Sequence, residues 1–153
     1  MYTYQPHLAL LGRICVALIF LMSGINKIMD PQGTQQYMAA MGMTTATTLL
    51  YVGAIVFEVG GGLSILLGYW ARVGAAALFL FMIPTTLIFH SNFGDQNQMI
   101  HFLKNVAMLG GLLYVMAYGA GRLSLDARLG HPEERMMGTG IPASDRRGAR
   151  MTG

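Results

Sequence analysis

The amino-acid sequence predicts an all-α integral membrane protein, an antiparallel four-helix bundle of up-down topology. Three observations lead there. Of 153 residues, 54% are hydrophobic and 11% charged, whereas a typical soluble domain carries about 25% charged residues. The apolar residues gather in four runs, 8–25, 49–67, 73–89 and 100–120, each about long enough to cross ~30 Å of hydrocarbon. None of the runs alternates with period two, and four segments are too few for a closed barrel, the one other spanning structure that satisfies its backbone in lipid.

Each element follows from local chemistry. The first helix is expected at about 8–27, carrying Arg13, Ala17, Phe20, Gly24 and Lys27 as one stripe at helical spacing. Asp30-Pro31-Gln32-Gly33 then marks a turn, and 34–43 is expected as a short interfacial helix. The second helix, about 47–68, presents Ala54, Glu58, Gly61, Ile65 and Gly68 on one face. Small residues there let a neighbouring backbone approach, so Gly24, Ala54, Gly61 and Gly68 are the expected helix-packing positions. A tight turn at 68–72 leads into the third helix, about 73–91, where Pro84 frees the Leu80 carbonyl and Thr85 and Thr86 stand ready to satisfy the backbone again. After the polar loop 91–99, a fourth helix spans about 100–120. Residues 1–129 thus form the transmembrane domain, and 130–153 a basic cytoplasmic tail expected to be disordered.

Charge sets orientation and narrows function. Six of the ten basic residues, Arg122, Arg128, Arg135, Arg146, Arg147 and Arg150, lie after Gly121. With Arg72 on the same side, the positive-inside rule places both termini and the 68–72 turn in the cytoplasm. No aromatic residues interleave the tail arginines and no recognition motif accompanies them, so nucleic acid is not an expected partner. Cys15 is the only cysteine, so this subunit alone cannot run thiol–disulfide chemistry. No basic segment precedes the first apolar run, and a cleavable signal peptide is not expected.

Ionisable residues inside the runs are the informative ones, because each is costly in lipid. Glu58 lies near the middle of the second helix and is expected to point inward. Arg13 is its expected partner across the first helix, with about 6 Å of depth between their backbones at ~1.5 Å rise per residue. Lys27 approaches from the other end or snorkels outward. Three readings of Glu58 stand: an Arg–Glu pair that fixes helix register, a functional pocket or proton-handling group, and a neutral carboxyl bonded to Ser23, Ser64 or a backbone carbonyl. A second polar group, His90, Lys104 and Asn105 with His101, gathers at the outer side. Its spacing matches no strong ligand motif, so it is read as an interfacial anchor or a contact for a polar head, and no metal site is expected.

The chain resembles the DoxX family of small bacterial membrane proteins over most of residues 9–129. The residues that carry the resemblance are Leu11-Gly12-Arg13 and Ser23-Gly24-Ile25-Asn26-Lys27 in the first run. In the second they are Phe57-Glu58-Val59-Gly60-Gly61-Gly62-Leu63, then Leu67-Gly68 and Arg72. In the fourth they are Phe102-Leu103-Lys104-Asn105, Gly110-Gly111-Leu112-Leu113 and the segment from Gly119 to Asp126. The resemblance implies a four-helix inner-membrane protein and a link to quinone-associated sulfur oxidation or to oxidative-stress complexes with soluble redox enzymes. It carries no catalytic residue over to this chain. The leading expectation is a membrane subunit that binds a quinone between its helices, with Glu58 and Arg13 as inner contact and Lys27, His90 and Lys104 at the outer mouth. The alternatives are a small-solute or proton-coupled transporter, for which a homo-oligomer is expected, and an assembly subunit without its own activity.

Overall fold

The computed structural model describes residues 4–130, and all its regular elements are helices. Of the expected tail, 130–153, all but Gly130 lies outside the described residues. Four helices are long and apolar enough to cross a membrane: α1 (Gln5–Met29), α3 (Thr47–Leu67), α4 (Ala71–Phe89) and α5 (Gln96–Tyr118). Two short helices complete the fold, α2 (Pro31–Ala40) between α1 and α3, and α6 (Leu125–Leu129) after α5. The outer surface is apolar. Leu8, Leu11, Leu18, Met22 and Ile25 on α1 are all exposed, as are Leu80 and Leu87 on α4 and Leu103 and Tyr114 on α5. That is the surface a hydrocarbon solvent selects.

Neighbouring helices run antiparallel. Gly24 of α1 packs on Glu58 and Val59 of α3, Leu21 on Gly62, and Arg13 on Gly68. Between α3 and α4, Gly61 meets Leu78 and Ser64 meets Gly74. Between α4 and α5, Thr86 pairs with Asn105 and Arg72 reaches the Ala117 carbonyl. Gly111 against Val16 closes α5 onto α1. Gly24, Ala54, Gly61 and Gly68 are all buried.

Helix ends depart from expectation where a cap reaches further than an apolar run. Asp95 accepts from the Asn97 N–H and starts α5 at Gln96, four residues before the apolar run begins. Asp30 accepts from the Gly33 N–H, with Pro31 in the first turn, so the interfacial helix begins at 31 rather than 34. At the 68–72 turn, Gly68 adopts φ 65°, and the Tyr69 N–H bonds the Ser64 carbonyl, closing the end of α3. The start of α4 is capped from afar: the Asp126 carboxylate accepts from the Trp70 and Ala71 N–H groups. The Asp126 N–H in turn donates to the Gly68 carbonyl. Segment 120–129 is therefore built into this end of the bundle.

The two ends of the bundle differ in character. At the end holding the 68–72 turn, the buried core is Ala17, Phe20, Ile65, Ala71, Ala75, Leu78, Leu112, Val115 and Ala120, with Met82 near mid-depth. Toward the other end, which holds α2 and the 90–95 loop, buried positions are Gly24, Met38, Tyr51, Ala54, Thr86 and Asn105. Each end also buries polar groups of its own: Arg13, Ser124 and Asp126 at the first, Glu58, Thr86 and Asn105 toward the second.

Candidate functional site

Glu58 is buried, 5% exposed, and sits in a π-helical turn, Val56–Gly60, that interrupts α3. Such a turn inserts one extra residue into the helical winding, a feature that recurs at functional sites. Here the turn packs against both α1 and α4, and Gly24 of α1 makes room for it. A Cβ at position 24 would lie 2.6 Å from a Val59 methyl and 3.4 Å from the Glu58 Cβ.

The partner of Glu58 is Lys27. The ammonium lies 2.9 Å from both carboxylate oxygens. Ser23, one turn earlier on α1, closes a triangle by accepting from Lys27 Nζ at 2.8 Å and donating to Glu58 Oε1 at 3.2 Å. The three ammonium protons thus have three acceptors, and the cluster carries no net charge. Tyr51 donates to the Lys27 carbonyl at 3.0 Å, tying the start of α3 to the end of α1. The Lys27 side chain is 24% exposed and that of Glu58 7%, and Lys27 lies toward the end covered by α2. That helix is held over this end of the bundle by Tyr37 stacked on Phe89 at 5.4 Å, by Gln35 bonded to Thr48, and by buried Met38.

Arg13, the expected partner, does not reach Glu58. It is buried at the opposite end of the bundle, where its guanidinium donates to the Leu123 carbonyl at 2.7 Å and lies against Gly68. Since Gly24 is level with Glu58, Arg13 stands eleven residues away along α1, about 16 Å at ~1.5 Å per residue. The expected pairing aligned the centres of the two apolar runs. The interlock of Gly24 on Val59 and Leu21 on Gly62 slides the helices past that alignment and brings Lys27 to Glu58 instead.

The second polar group divides in two. His90 and His101 stack with ring centroids 5.1 Å apart, His90 Nδ1 lies 2.8 Å from Gln98 Oε1, and Lys104 Nζ lies 3.2 Å from His101 Nδ1. These residues form a rim at the α2 end. Asn105 turns the other way and is buried, donating to Thr86 Oγ1 at 3.0 Å. Of the two threonines beside Pro84, Thr85 bonds back into its own helix, but to the Phe81 carbonyl at 2.8 Å rather than to the Leu80 carbonyl that Pro84 frees. Tyr51, Thr86 and Asp126 contribute to these arrangements although the sequence does not single them out as site residues. Among the described residues, no three His, Cys, Asp or Glu side chains converge as a metal site.

Comparison with known proteins agrees with this architecture. The inner membrane protein YqjF of Escherichia coli (strain K12) is 38% identical over 120 residues, which cover 78% of this chain and 90% of the relative. The inner membrane protein YphA of the same organism is 37% identical over 130 residues, covering 81% and 91%. A membrane protein of Mycobacterium tuberculosis is 31% identical over 129 residues, covering 76% and 78%. No solved structure matches the chain. Four apolar helices and these relatives make it a multi-pass inner-membrane protein. The DoxX family model matches residues 8–91, the segment that contributes Ser23, Lys27 and Glu58, and the chain belongs to the DoxX family.

Proposed function

We propose that this protein is a membrane subunit of a quinone-linked or oxidative-stress redox system and holds a quinone, or a similar small apolar molecule, between its helices. The observation that carries this reading is the Lys27–Glu58–Ser23 cluster, placed within the bundle with Glu58 buried and Lys27 partly exposed. A pocket lined mainly by apolar groups with a few fixed polar contacts suits a ring that carries carbonyl or hydroxyl groups. Lys27 supplies donors, Glu58 and Ser23 supply acceptors, and His90 and Lys104 form the outer rim. Arg13 takes no part. Its role in this reading is to fasten segment 120–129, and a soluble redox enzyme would dock on the exposed ends.

Transport is the weaker reading, because the core between Glu58 and the 68–72 end, from Ala17 to Val115, is built of apolar side chains. A purely structural role has one observation in its favour: the cluster satisfies its own hydrogen bonds without any ligand. Glu58→Gln separates the two. Normal folded yield with lost binding of a short-chain benzoquinone supports the ligand site, whereas lost yield with unchanged binding in the surviving fraction supports the structural role.

In the same reading, residues 1–129 are the membrane domain, 130–153 a cytoplasmic tail, and both termini face the cytoplasm. Single cysteines at positions 94 and 130, placed in a Cys15→Ser background, test this orientation. An impermeant thiol reagent applied to intact spheroplasts labels position 94 and spares position 130 if the assignment holds.

A further inference from the structure

The end of the bundle that holds the 68–72 turn carries an unbalanced positive charge. Among the described residues it has Arg13, Arg72, Arg122 and Arg128 against the carboxylate of Asp126, a net +3. Toward the other end, Lys27 and Lys104 stand against Asp30, Glu58 and Asp95, a net −1. Asp126 is 8% exposed and occupied by the Trp70 and Ala71 N–H groups. Among the described residues, Arg72, Arg122 and Arg128 form no ion pair. Arg122 and Arg128 are exposed on the segment that Asp126 fastens to the start of α4.

Arg72 lies on the flank of the bundle. It is the second residue of α4, and its guanidinium crosses to the last turn of α5, 3.5 Å from the Ala117 carbonyl oxygen. An ordinary hydrogen bond of this kind spans about 2.7–3.2 Å, so the contact is weak, and it is the one hydrogen bond of Arg72 among the described residues. A firm cap on the end of α5 would draw the group closer. Ala117 belongs to an outward face of α5 that runs back toward mid-depth through Tyr114, Leu113, Gly110 and Val106 at helical spacing. Tyr114 is 71% exposed, Leu113 49% and Val106 47%, and nothing lies within 4 Å of a Cβ at Gly110. Tyr114 and Tyr118 stack with centroids 5.7 Å apart, a pair of the kind that sits at headgroup level. A cation with unused donors thus stands at the interfacial end of an apolar strip with a notch in it.

We propose that Arg72 seats the phosphate of an anionic phospholipid at the α4–α5 seam, with an acyl chain along the strip from Tyr114 to Val106. Arg122 and Arg128 supply the field that favours a negative headgroup. The guanidinium fork matches the paired oxygens of a phosphate. The cation is continuous with surface that hydrocarbon must cover, so the occupant needs a charged head and an apolar tail. A free phosphate covers none of that strip, and a zwitterionic lipid brings a cation of its own to an end that is already positive.

Trp70 is the only tryptophan, stands two residues from Arg72 and is 54% exposed, which makes it the reporter. The full chain is reconstituted in vesicles that mix phosphatidylglycerol with phosphatidylcholine, one or the other bearing brominated chains. Quenching of Trp70 gives the relative affinity for the two lipids. Phosphatidylglycerol should be preferred at least about tenfold. Arg72→Gln should lower that preference about fivefold, the equivalent of ~1 kcal/mol, and Arg122→Gln about twofold at most. If Arg72→Gln fails to fold, the wild type at ~1 M salt gives a second reading. The screening length is then about 3 Å, so diffuse attraction fades while a seated phosphate keeps a preference. Equal losses in the two variants, or a preference that vanishes in salt, overturn the seat at Arg72. Displacement of the brominated lipid by inorganic phosphate at constant ionic strength overturns the lipid as occupant in favour of a free anion. No preference in the wild type overturns the anionic class.

Discussion

Removing one member of the Lys27–Glu58 pair should cost far more than removing both. Lys27→Met leaves the Glu58 carboxylate beside Gly24 and Val59 with the Ser23 hydroxyl as its remaining contact. Stranding a buried charge this way costs about 3–5 kcal/mol. The Lys27 side chain is 24% exposed, which lowers the value of the intact pair, so about 2–4 kcal/mol is expected. Glu58→Leu should cost less, because a stranded Lys27 stands near the end of α1 and can reach toward the membrane surface. Combining the two substitutions removes both charges, and the double variant should lie within about 1 kcal/mol of the wild type. The coupling between the sites is then about 2 kcal/mol or more. Reversible unfolding in mixed micelles, followed by far-UV circular dichroism at increasing SDS fraction, measures all four proteins. Additive effects, with coupling below about 0.5 kcal/mol, would refute the ion pair as an energetic unit.

Two further substitutions probe what surrounds the site. Gly68→Ala should destabilise by about 2–4 kcal/mol in the same assay. It places a side chain at φ 65° and drives a Cβ into the Arg13 guanidinium and Ser124, combining backbone strain with overpacking. Gly12→Ala is the control. Nothing lies within 4 Å of its Cβ position, so stability should change by less than about 1 kcal/mol. Asp126→Ala strips the Trp70 and Ala71 N–H groups of their acceptor and should cost about 1–2 kcal/mol. Asp126→Asn, which keeps one oxygen acceptor, should recover about half, and the near-ultraviolet signal of Trp70 gives a local readout.

Much of the site was legible in the sequence as a set of residues, and less of it as a set of contacts. Glu58 stands out because a carboxylate among apolar neighbours is rare, and the small residues Ala54, Gly61 and Gly68 give away the face it occupies. Ser23 and Lys27 share one face of α1 by spacing alone. Which cation reaches Glu58 is a different kind of question. It turns on a slide of α1 along α3, and the similar lengths of the two apolar runs suggest an alignment that the glycine interlock does not adopt. Thr86 illustrates the same limit. Its place beside Pro84 suggests backbone repair, yet Thr86 faces Asn105 across the α4–α5 interface, and Thr85 bonds the Phe81 carbonyl rather than the freed Leu80 carbonyl.

The sequence by itself determined the solvent, the number of crossings and the helical class, because the transfer of a side chain between water and hydrocarbon depends on that side chain and its near neighbours. It also determined which residues are costly enough in lipid to need a partner. Only the tertiary structure decided which partner each one takes. Pairings such as Lys27 with Glu58, Asn105 with Thr86 and Asp126 with the start of α4 depend on interhelical register, and register is set by the shapes of two surfaces meeting, a property that belongs to neither segment alone.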